Sequence, residues 1–226
     1  MAKLKWDETG TRLYETGTRQ GALFVMQDGV YSTGVAWSGL TGVTETPSGA
    51  EESPFYADDI KYLSLTSVEE FGGTINAYTY PEEFSQCDGS AEAAPGVYIG
   101  QQGRTPFGLA YLTRVCNDTK GNEYGDKLHL IYNAKVSPSE RAYETINNDP
   151  NALTFSWTFT TTPTDPERDD LKPTSVLTVD STKTTPAAFK AITDLVFGTE
   201  AKEPKFPTVD EAITLLETVT PAGAGE

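Results

Sequence analysis

The chain has 226 residues and a formal net charge of −16, from 33 acidic and 17 basic side chains. Such an acidic chain repels phosphate backbones, which argues against ordinary nucleic-acid binding. Two cysteines do not call for a disulfide scaffold, and without a signal-type or membrane-length apolar run we expect a protein made in the cytoplasm that does not insert into a membrane.

The N-terminal part is predicted to form an arm followed by a hairpin. Residues 1–20 are polar with irregularly spaced apolar side chains, which is typical of an arm that docks on another surface. Residues 22–26 form a short apolar run that predicts a strand, and Asp28 and Gly29 supply a turn that leads back to Tyr31. Frequent glycine, proline, threonine and tyrosine favour a mainly β fold with many turns.

Residues 37–59 are predicted to form a long irregular loop. The segment holds several glycines and prolines and shows no clear period. Long loops are uncommon in compact domains and are usually functional when they occur. Its scattered apolar side chains are therefore candidates for contact with another protein surface. They are Trp37, Leu40, Phe55 and Tyr56.

Residues 69–89 are predicted to contain a strand and then a short helical turn. Within 74–80, threonine, asparagine and tyrosine alternate with isoleucine, alanine and threonine, which gives a strand with two different faces. Pro81 ends this strand and can begin a helical turn, with Glu82 and Glu83 at the favourable end of its dipole.

Further strands are predicted from alternation at 107–115, 127–133, 153–160 and 175–179, with a turn at 117–126. The first two of these strands form a hairpin around that turn. In the third, leucine, phenylalanine and tryptophan alternate strictly with threonine and serine. This pattern predicts one apolar face toward a core and one hydroxyl face.

The hydrophobic period becomes helical in residues 185–219. Thr185 can cap a first helix that a proline begins and Gly198 ends. Thr208 and Glu211 have the capping-box spacing at the start of a second helix.

Acidic doublets invite a glycosidase interpretation, because that reaction needs two carboxyl groups at one bond. The doublets are Asp58–Asp59, Glu69–Glu70 and Glu82–Glu83. Neighbours in a strand point to opposite faces and neighbours on a helix diverge, so no single doublet aims both carboxylates at one atom. Acids from different doublets can still converge in the fold. Charge exposed to solvent is the favoured interpretation.

Other catalytic and metal signals are weak. His129 is the only histidine and lies in a predicted strand with no nucleophile motif near it. The turn at 117–126 has oxygen ligands suited to calcium, but its spacing does not match the EF-hand loop. We therefore predict no catalytic residue, no cofactor and no metal site.

Several segments, spread over nearly the whole chain, match one known pattern in their order and spacing. They are 12–17, 34–40, 56–63, 69–89, 101–108, 127–130, 137–141 and 155–163. Together they resemble the major tail protein, or tail tube subunit, of long-tailed, non-contractile bacteriophages and prophages of Gram-positive hosts. The resemblance rests on the collective match, because no single motif is mechanistic.

The resemblance implies a single domain over 1–226, a β-sandwich or barrel of the tail tube type with flanking α-helices and long loops or arms. Such subunits form hexameric rings that stack into a channel for DNA passage. Tape-measure, tail-terminator and distal tail proteins would be further partners, in a virion assembled in the bacterial cytoplasm. The loop at 37–59 would contact a neighbouring subunit or ring, and the acidic doublets would lie on the channel wall or the surface, where negative charge lets DNA slide.

Other assignments stay open on the sequence. A carbohydrate-binding or adhesive β-sandwich module would also use aromatic and acid-rich loops. A hydrolase would need the acids gathered in one cleft. A tube subunit of a phage-tail-like particle, or of a contractile tail, would share the features of the favoured assignment.

Overall fold

The computed structural model describes residues 3–143, 145, 152–168 and 170–219. Its strands and helices are β1 (Leu13–Gln27), β2 (Val30–Tyr31), β3 (Val35–Trp37), β4 (Leu40–Glu45), β5 (Glu52–Ala57), β6 (Ile60–Thr66), β7 (Gly72–Ala77), β8 (Ala91–Ala94), β9 (Val97–Ile99), β10 (Phe107–Asn117), β11 (Gly121–Val136), β12 (Phe155–Thr161), β13 (Val176–Asp180), α1 (Pro186–Phe197) and α2 (Val209–Val219). A short 3-10 helix, Glu82–Gln86, precedes β8. Over the described residues the protein is thus mainly β, with antiparallel sheets and two α-helices.

One antiparallel sheet contains most of the strands, in the order β2–β1–β10–β11–β12–β7–β4, with β3 added to β1 and β13 to β11. Strands β1 and β4 approach each other although several strands separate them in this order, which shows that the sheet curls. A Cβ atom built on Gly21 of β1 would lie 2.8 Å from Cδ2 of Leu40 in β4. The remaining strands form two hairpins outside the sheet, β5–β6 and β8–β9.

An apolar core lies on each face of the sheet. On one face, Leu109 of β10 belongs to a cluster with Trp157 of β12 and Phe84 of the 3-10 helix. On the other face, Leu112 of β10 belongs to a cluster with Ile192 of α1 and other helix residues. Each such side chain contributes about 1.5–3 kcal/mol when it is fully buried. The central strands are therefore apolar on both faces, since both are covered.

Strand β11 pairs with two different strands along one edge, and a bulge in its pairing with β10 lies between the two paired segments, at Asn133. Residues 127–131 pair with β13, and residues 134–136 pair with β12. Asn133 has a φ of 48°, in the left-handed region that asparagine tolerates better than most residues. The extra residue in this bulge lets Ile131 and Ala134 both face the first core.

Both C-terminal helices begin as the sequence predicts. The Thr185 hydroxyl accepts a hydrogen bond from a backbone N–H at 3.2 Å, and Gly198 ends α1 with a φ of 76°. Thr208 and Glu211 hold the start of α2 by reciprocal bonds of 3.1 and 3.2 Å. The helices predicted within 185–219 are therefore confirmed.

The regular strands predicted from alternation are confirmed. They are those at 107–115, 127–133, 153–160 and 175–179 and the hairpin at Asp28 and Gly29. The strand predicted at 74–80 is confirmed for 74–77 only, because it ends at Ala77 and not at Pro81. Pro81 lies at the start of the short 3-10 helix, as expected. Among the described helices, none is both long and apolar enough to cross a bilayer.

Three predictions about irregular segments are wrong in their extent. The arm is limited to the residues before Leu13, because residues 13–20 pair with β10. Bulges in this part of β1 break the alternation that would have revealed it. The turn predicted at 117–126 is shorter, because β11 already begins at Gly121. The loop predicted at 37–59 is largely strand.

Candidate assembly interface

Residues 40–77 form one long antiparallel hairpin. Its inner part is the β4–β7 pair of the main sheet, which begins with Leu40 opposite Ala77. A bridge between Ser48 and Glu70 continues the ladder outward, and the β5–β6 pair completes it. At about 3.3 Å per residue, β5 alone adds roughly 20 Å to the hairpin. We call the outer part, Glu52–Thr66, the ribbon.

The tip of the ribbon is a tight turn made by an acidic doublet. Asp58 and Asp59 have φ values of 52° and 63°. Two consecutive left-handed residues are the requirement of a two-residue type I′ hairpin turn, and aspartate tolerates that conformation. The doublet therefore has a local structural role, and its carboxylates lie at the outer end of the ribbon.

The ribbon has one apolar face and one polar face. Phe55 lies opposite Leu63 in the ladder, and Leu65 follows on the same face. The polar face carries Glu52 and Lys61, with Oε2 and Nζ 3.4 Å apart. This division is typical of a hairpin that packs one face against a partner.

No other described strand pairs with the ribbon, and its large apolar side chains remain exposed. These are Phe55, Tyr56, Ile60, Tyr62, Leu63 and Leu65. A two-stranded hairpin alone in water is marginally stable, and a contiguous exposed apolar patch marks an interaction site. The apolar face of the ribbon is therefore the strongest candidate for contact with another molecule.

Two of the four predicted contact residues belong to the core. Trp37 is only 3% exposed, and its Nε1 donates a 2.9 Å hydrogen bond to the carbonyl of Thr79. Leu40 packs against the same core. The prediction that these two residues lie on a free loop is wrong, because β3 and β4 fold into the sheet. Phe55 and Tyr56 lie on the ribbon, where a contact with another subunit stays a prediction.

Two further projections expose apolar side chains. In the β8–β9 hairpin the exposed residues include Val97 and Tyr98, and the Tyr98 hydroxyl donates to Glu82 at 3.4 Å. In the arm, Leu4 and Trp6 are exposed. Among the described residues, the ribbon, this hairpin and the arm thus form three separate extensions with apolar side chains in solvent.

The three acidic doublets lie in three different places. Asp58–Asp59 forms the tip of the ribbon, Glu69–Glu70 follows its return strand, and Glu82–Glu83 lies in the first turn of the 3-10 helix. Between residues 45 and 100 the sequence has eleven acidic side chains and one basic side chain, Lys61. Two copies of this segment repel each other, so a surface that binds the ribbon must be neutral or basic.

A polar cluster attaches the outer end of the β4–β7 pair to the first core. Glu45, the last residue of β4, accepts a 2.5 Å hydrogen bond from the Tyr111 hydroxyl. Its carboxylate lies 3.4 Å from Nδ1 of His129, and Nε2 of His129 lies 2.9 Å from Oγ1 of Thr113. The His129 and Tyr111 rings stack with their centroids 4.7 Å apart.

Contact with His129 and the bond from Tyr111 lower the pKa of the Glu45 carboxyl, while burial works against them. Burial and the neighbouring Glu45 raise the pKa of Tyr111. The sequence predicts only that His129 lies within a strand. Its partners come from strands far apart in the chain, so the cluster becomes visible only once their register is known.

The turn predicted as a possible calcium site uses its oxygens for the backbone. Oδ1 of the buried Asn117 accepts from the backbone N–H of Thr119 at 2.8 Å, and Nδ2 donates to the carbonyl of Gly10 at 2.7 Å. Throughout the described ranges, no three or more His, Cys, Asp or Glu side chains are grouped so as to hold a metal ion.

No protein-family model matches the chain, and a search of curated proteins gives no significant match. The functional assignment therefore rests on the residues that the molecule exposes at its surface.

Proposed function

We propose that the protein is the tail tube subunit of a long-tailed bacteriophage or prophage, with a structural rather than a catalytic role. The uncovered apolar face of the ribbon carries this proposal. Phe55, Leu63 and Leu65 stay in solvent in a single subunit, although burial of such side chains is favourable. A stacked assembly covers them with a neighbouring copy.

The three extensions suit a subunit that contacts several copies of itself. In the proposed assembly, six subunits form a ring, rings stack head to tail, and the ribbon reaches the adjacent ring. Cyclic symmetry within the ring and head-to-tail stacking between rings give every copy the same contacts, except at the two ends of the tube. Tape-measure, tail-terminator and distal tail proteins would bind the finished tube, and a phage-tail-like particle would use the same subunit surfaces.

Unpaired strand edges also favour assembly. Among the described strands, β13 pairs only with β11, and residues 13–19 of β1 pair only with β10. Open edges of this kind are templates for pairing with another chain. A ring in which neighbouring subunits add strands to these edges would remove them from solvent.

The outer face of the β12–β7–β4 half of the sheet is uncharged. Thr44, Thr74 and Thr158 lie side by side in the ladder, and Asn76 and Ser156 occupy the next row. If this face lines the channel, DNA passes over hydroxyl and amide groups rather than over carboxylates. Such a wall offers no lysine or arginine to hold phosphate. The acidic doublets then contribute a repulsive field from outside this face.

Negative-stain microscopy of the concentrated purified protein tests the proposal. We expect rings or tubes of uniform width with a central channel. A population that stays monomeric across the concentration range contradicts the assignment.

A further inference from the structure

The long hairpin is interrupted between its inner part and the ribbon. On the inner side, Ser48 and Glu70 exchange two backbone hydrogen bonds of 2.8 Å. On the outer side, regular pairing resumes with Glu52 opposite Thr66. The residues between these pairs, 49–51 on one strand and 67–69 on the other, lie outside all described strands. We call these two segments together the joint.

The joint is held by few contacts. Among the described residues, two hydrogen bonds cross it, both between Glu51 and Ser67. The Ser67 N–H donates to the Glu51 carbonyl, and the Glu51 N–H donates to Oγ of Ser67, each at 3.0 Å. All residues of the joint are exposed, and no described residue between 46 and 70 belongs to either core. Exposed backbone bonds without buried apolar contacts mark the parts of a protein that open most easily.

The backbone bends at the joint. Gly49 and Ala50 have left-handed φ values of 83° and 53°, whereas extended strands have a φ of about −120° to −140°. A Cβ atom built on Gly49 would lie 2.2 Å from the carbonyl oxygen of Val68, so this conformation requires glycine there. Alanine rarely adopts the left-handed region, and residues held in such conformations cluster at switch regions. The bend therefore sets the direction in which the ribbon leaves the sheet.

We infer that the joint is a hinge about which the ribbon swings relative to the main sheet. The ribbon is paired along its length, from Glu52 to Thr66, so it moves as one body. At about 20 Å from the joint to the tip, a swing of about 10° moves the tip by roughly 3–4 Å. Such movement lets the apolar face of the ribbon adjust to the surface of a partner. The hinge is a property of the single subunit, so it goes beyond the tail tube assignment and is tested without assembly.

Double electron–electron resonance on dilute monomeric protein measures this swing. One nitroxide label is attached at Lys61→Cys near the tip, and the other at Lys183→Cys on the body. Both positions are exposed, whereas the native Cys87 and Cys116 are buried. In the matched control, Thr46→Cys on the inner side of the joint replaces the label at position 61. We expect the pair across the joint to give a distance distribution several ångströms broader than the control pair.

Two variants alter the joint in opposite directions. Gly49→Thr combined with Ala50→Thr places β-branched residues where the left-handed conformation is strongly disfavoured. This variant should extend the regular ladder through the joint and narrow the distribution to the width of the control. Ser67→Ala removes the acceptor of the Glu51 N–H and should broaden the distribution. The test therefore does not depend on the folding of one variant, and circular dichroism checks that each is folded.

A distribution across the joint that is as narrow as that of the control overturns the hinge. A broad distribution that neither variant changes also overturns it, because the movement then lies elsewhere in the hairpin. Both results leave the tail tube assignment standing if tubes form. A broad distribution that the variants narrow and widen as expected supports the hinge, also in a protein that never assembles, where the tube assignment alone would fail.

Discussion

Replacing Leu65 by alanine should weaken self-association without unfolding the subunit. Leu65 lies on the apolar face of the ribbon and is 58% exposed in the single subunit. It belongs to neither of the two apolar cores. Its truncation therefore removes surface that only a neighbour can cover, while the free energy of unfolding should change by less than about 0.5 kcal/mol.

The size of the effect follows from the exposed fraction of the side chain. Complete burial of a leucine contributes about 1.5–3 kcal/mol. The 58% that is exposed in the monomer corresponds to roughly 0.9–1.7 kcal/mol if a neighbour covers it fully. Because 1.4 kcal/mol is a factor of ten in an equilibrium constant, the critical concentration for assembly should rise by about 5- to 20-fold.

Light scattering against protein concentration measures this critical concentration. The matched control is Ser64→Ala, at the neighbouring position on the polar face of the same strand. We expect the control to stay within about twofold of the wild type, since no buried apolar area is lost. Urea titrations of both variants check that each subunit is still folded.

Equal critical concentrations for the two variants would refute the assignment of the ribbon as a contact surface. A loss of more than about 1 kcal/mol in the unfolding free energy of Leu65→Ala would also refute it. That result would place the side chain in a core of the subunit itself.

Three further predictions concern the subunit alone. Glu45→Gln should lower the free energy of unfolding at pH 7 by about 1.5 kcal/mol, because Tyr111 loses a charged acceptor. The pKa of Glu45 is lowered in the folded state. The stabilisation by the Glu45 carboxylate is therefore complete above the ordinary carboxyl pKa and disappears as the pH falls through the lowered value. Urea titrations in which the wild type and Glu45→Gln keep different unfolding free energies in acid would contradict this prediction. Thr185→Ala should cost about 1 kcal/mol in thermal or urea unfolding, since it removes the cap of α1, and an unchanged midpoint would count against that cap. Burial raises the pKa of Cys87 to about 12, so this thiol should resist a thiol-specific reagent at pH 8 in native protein and react in urea; rapid native labelling at Cys87 would show that the site opens.

Local signals in the sequence were sufficient for the elements that obey one period. The strand at 153–160 alternates strictly, and Trp157 and Phe159 are buried as that pattern predicts. The helix after Thr185 has its cap and its terminal glycine at Gly198. These features are encoded within a few residues of one another, so no knowledge of the rest of the fold is needed.

Features that depend on distant partners were not predictable. Residues 13–20 did not look like a strand because bulges at Gly17 and Gln20 interrupt the alternation, as their φ values of 68° and 51° indicate. The sequence of the first half of the long hairpin shows no clear alternation of apolar and polar residues. Its outer part packs on no core of the subunit, so no side of that strand has to be apolar for burial. Trp37 looked free because its partners lie in other strands and in the 3-10 helix.

The candidate site was predicted only in part, for a related reason. Phe55 and Tyr56 are predicted contact residues because they are apolar side chains in a segment without a clear period, and both lie on the exposed ribbon. Their partners across the ladder belong to a segment that the sequence did not pair with them. Division into an apolar and a polar face follows from strand register, and register is set by the whole hairpin.

Cryo-electron microscopy of the assembled particle can show whether the subunits build a tube of stacked rings. We predict end-on averages with sixfold symmetry around an open channel, and a reconstruction in which the ribbon of each subunit packs its apolar face on the adjacent ring. Particles without a channel, or rings in which Phe55, Leu63 and Leu65 all remain in solvent, would contradict the assignment as a tail tube subunit that uses the ribbon as its contact surface.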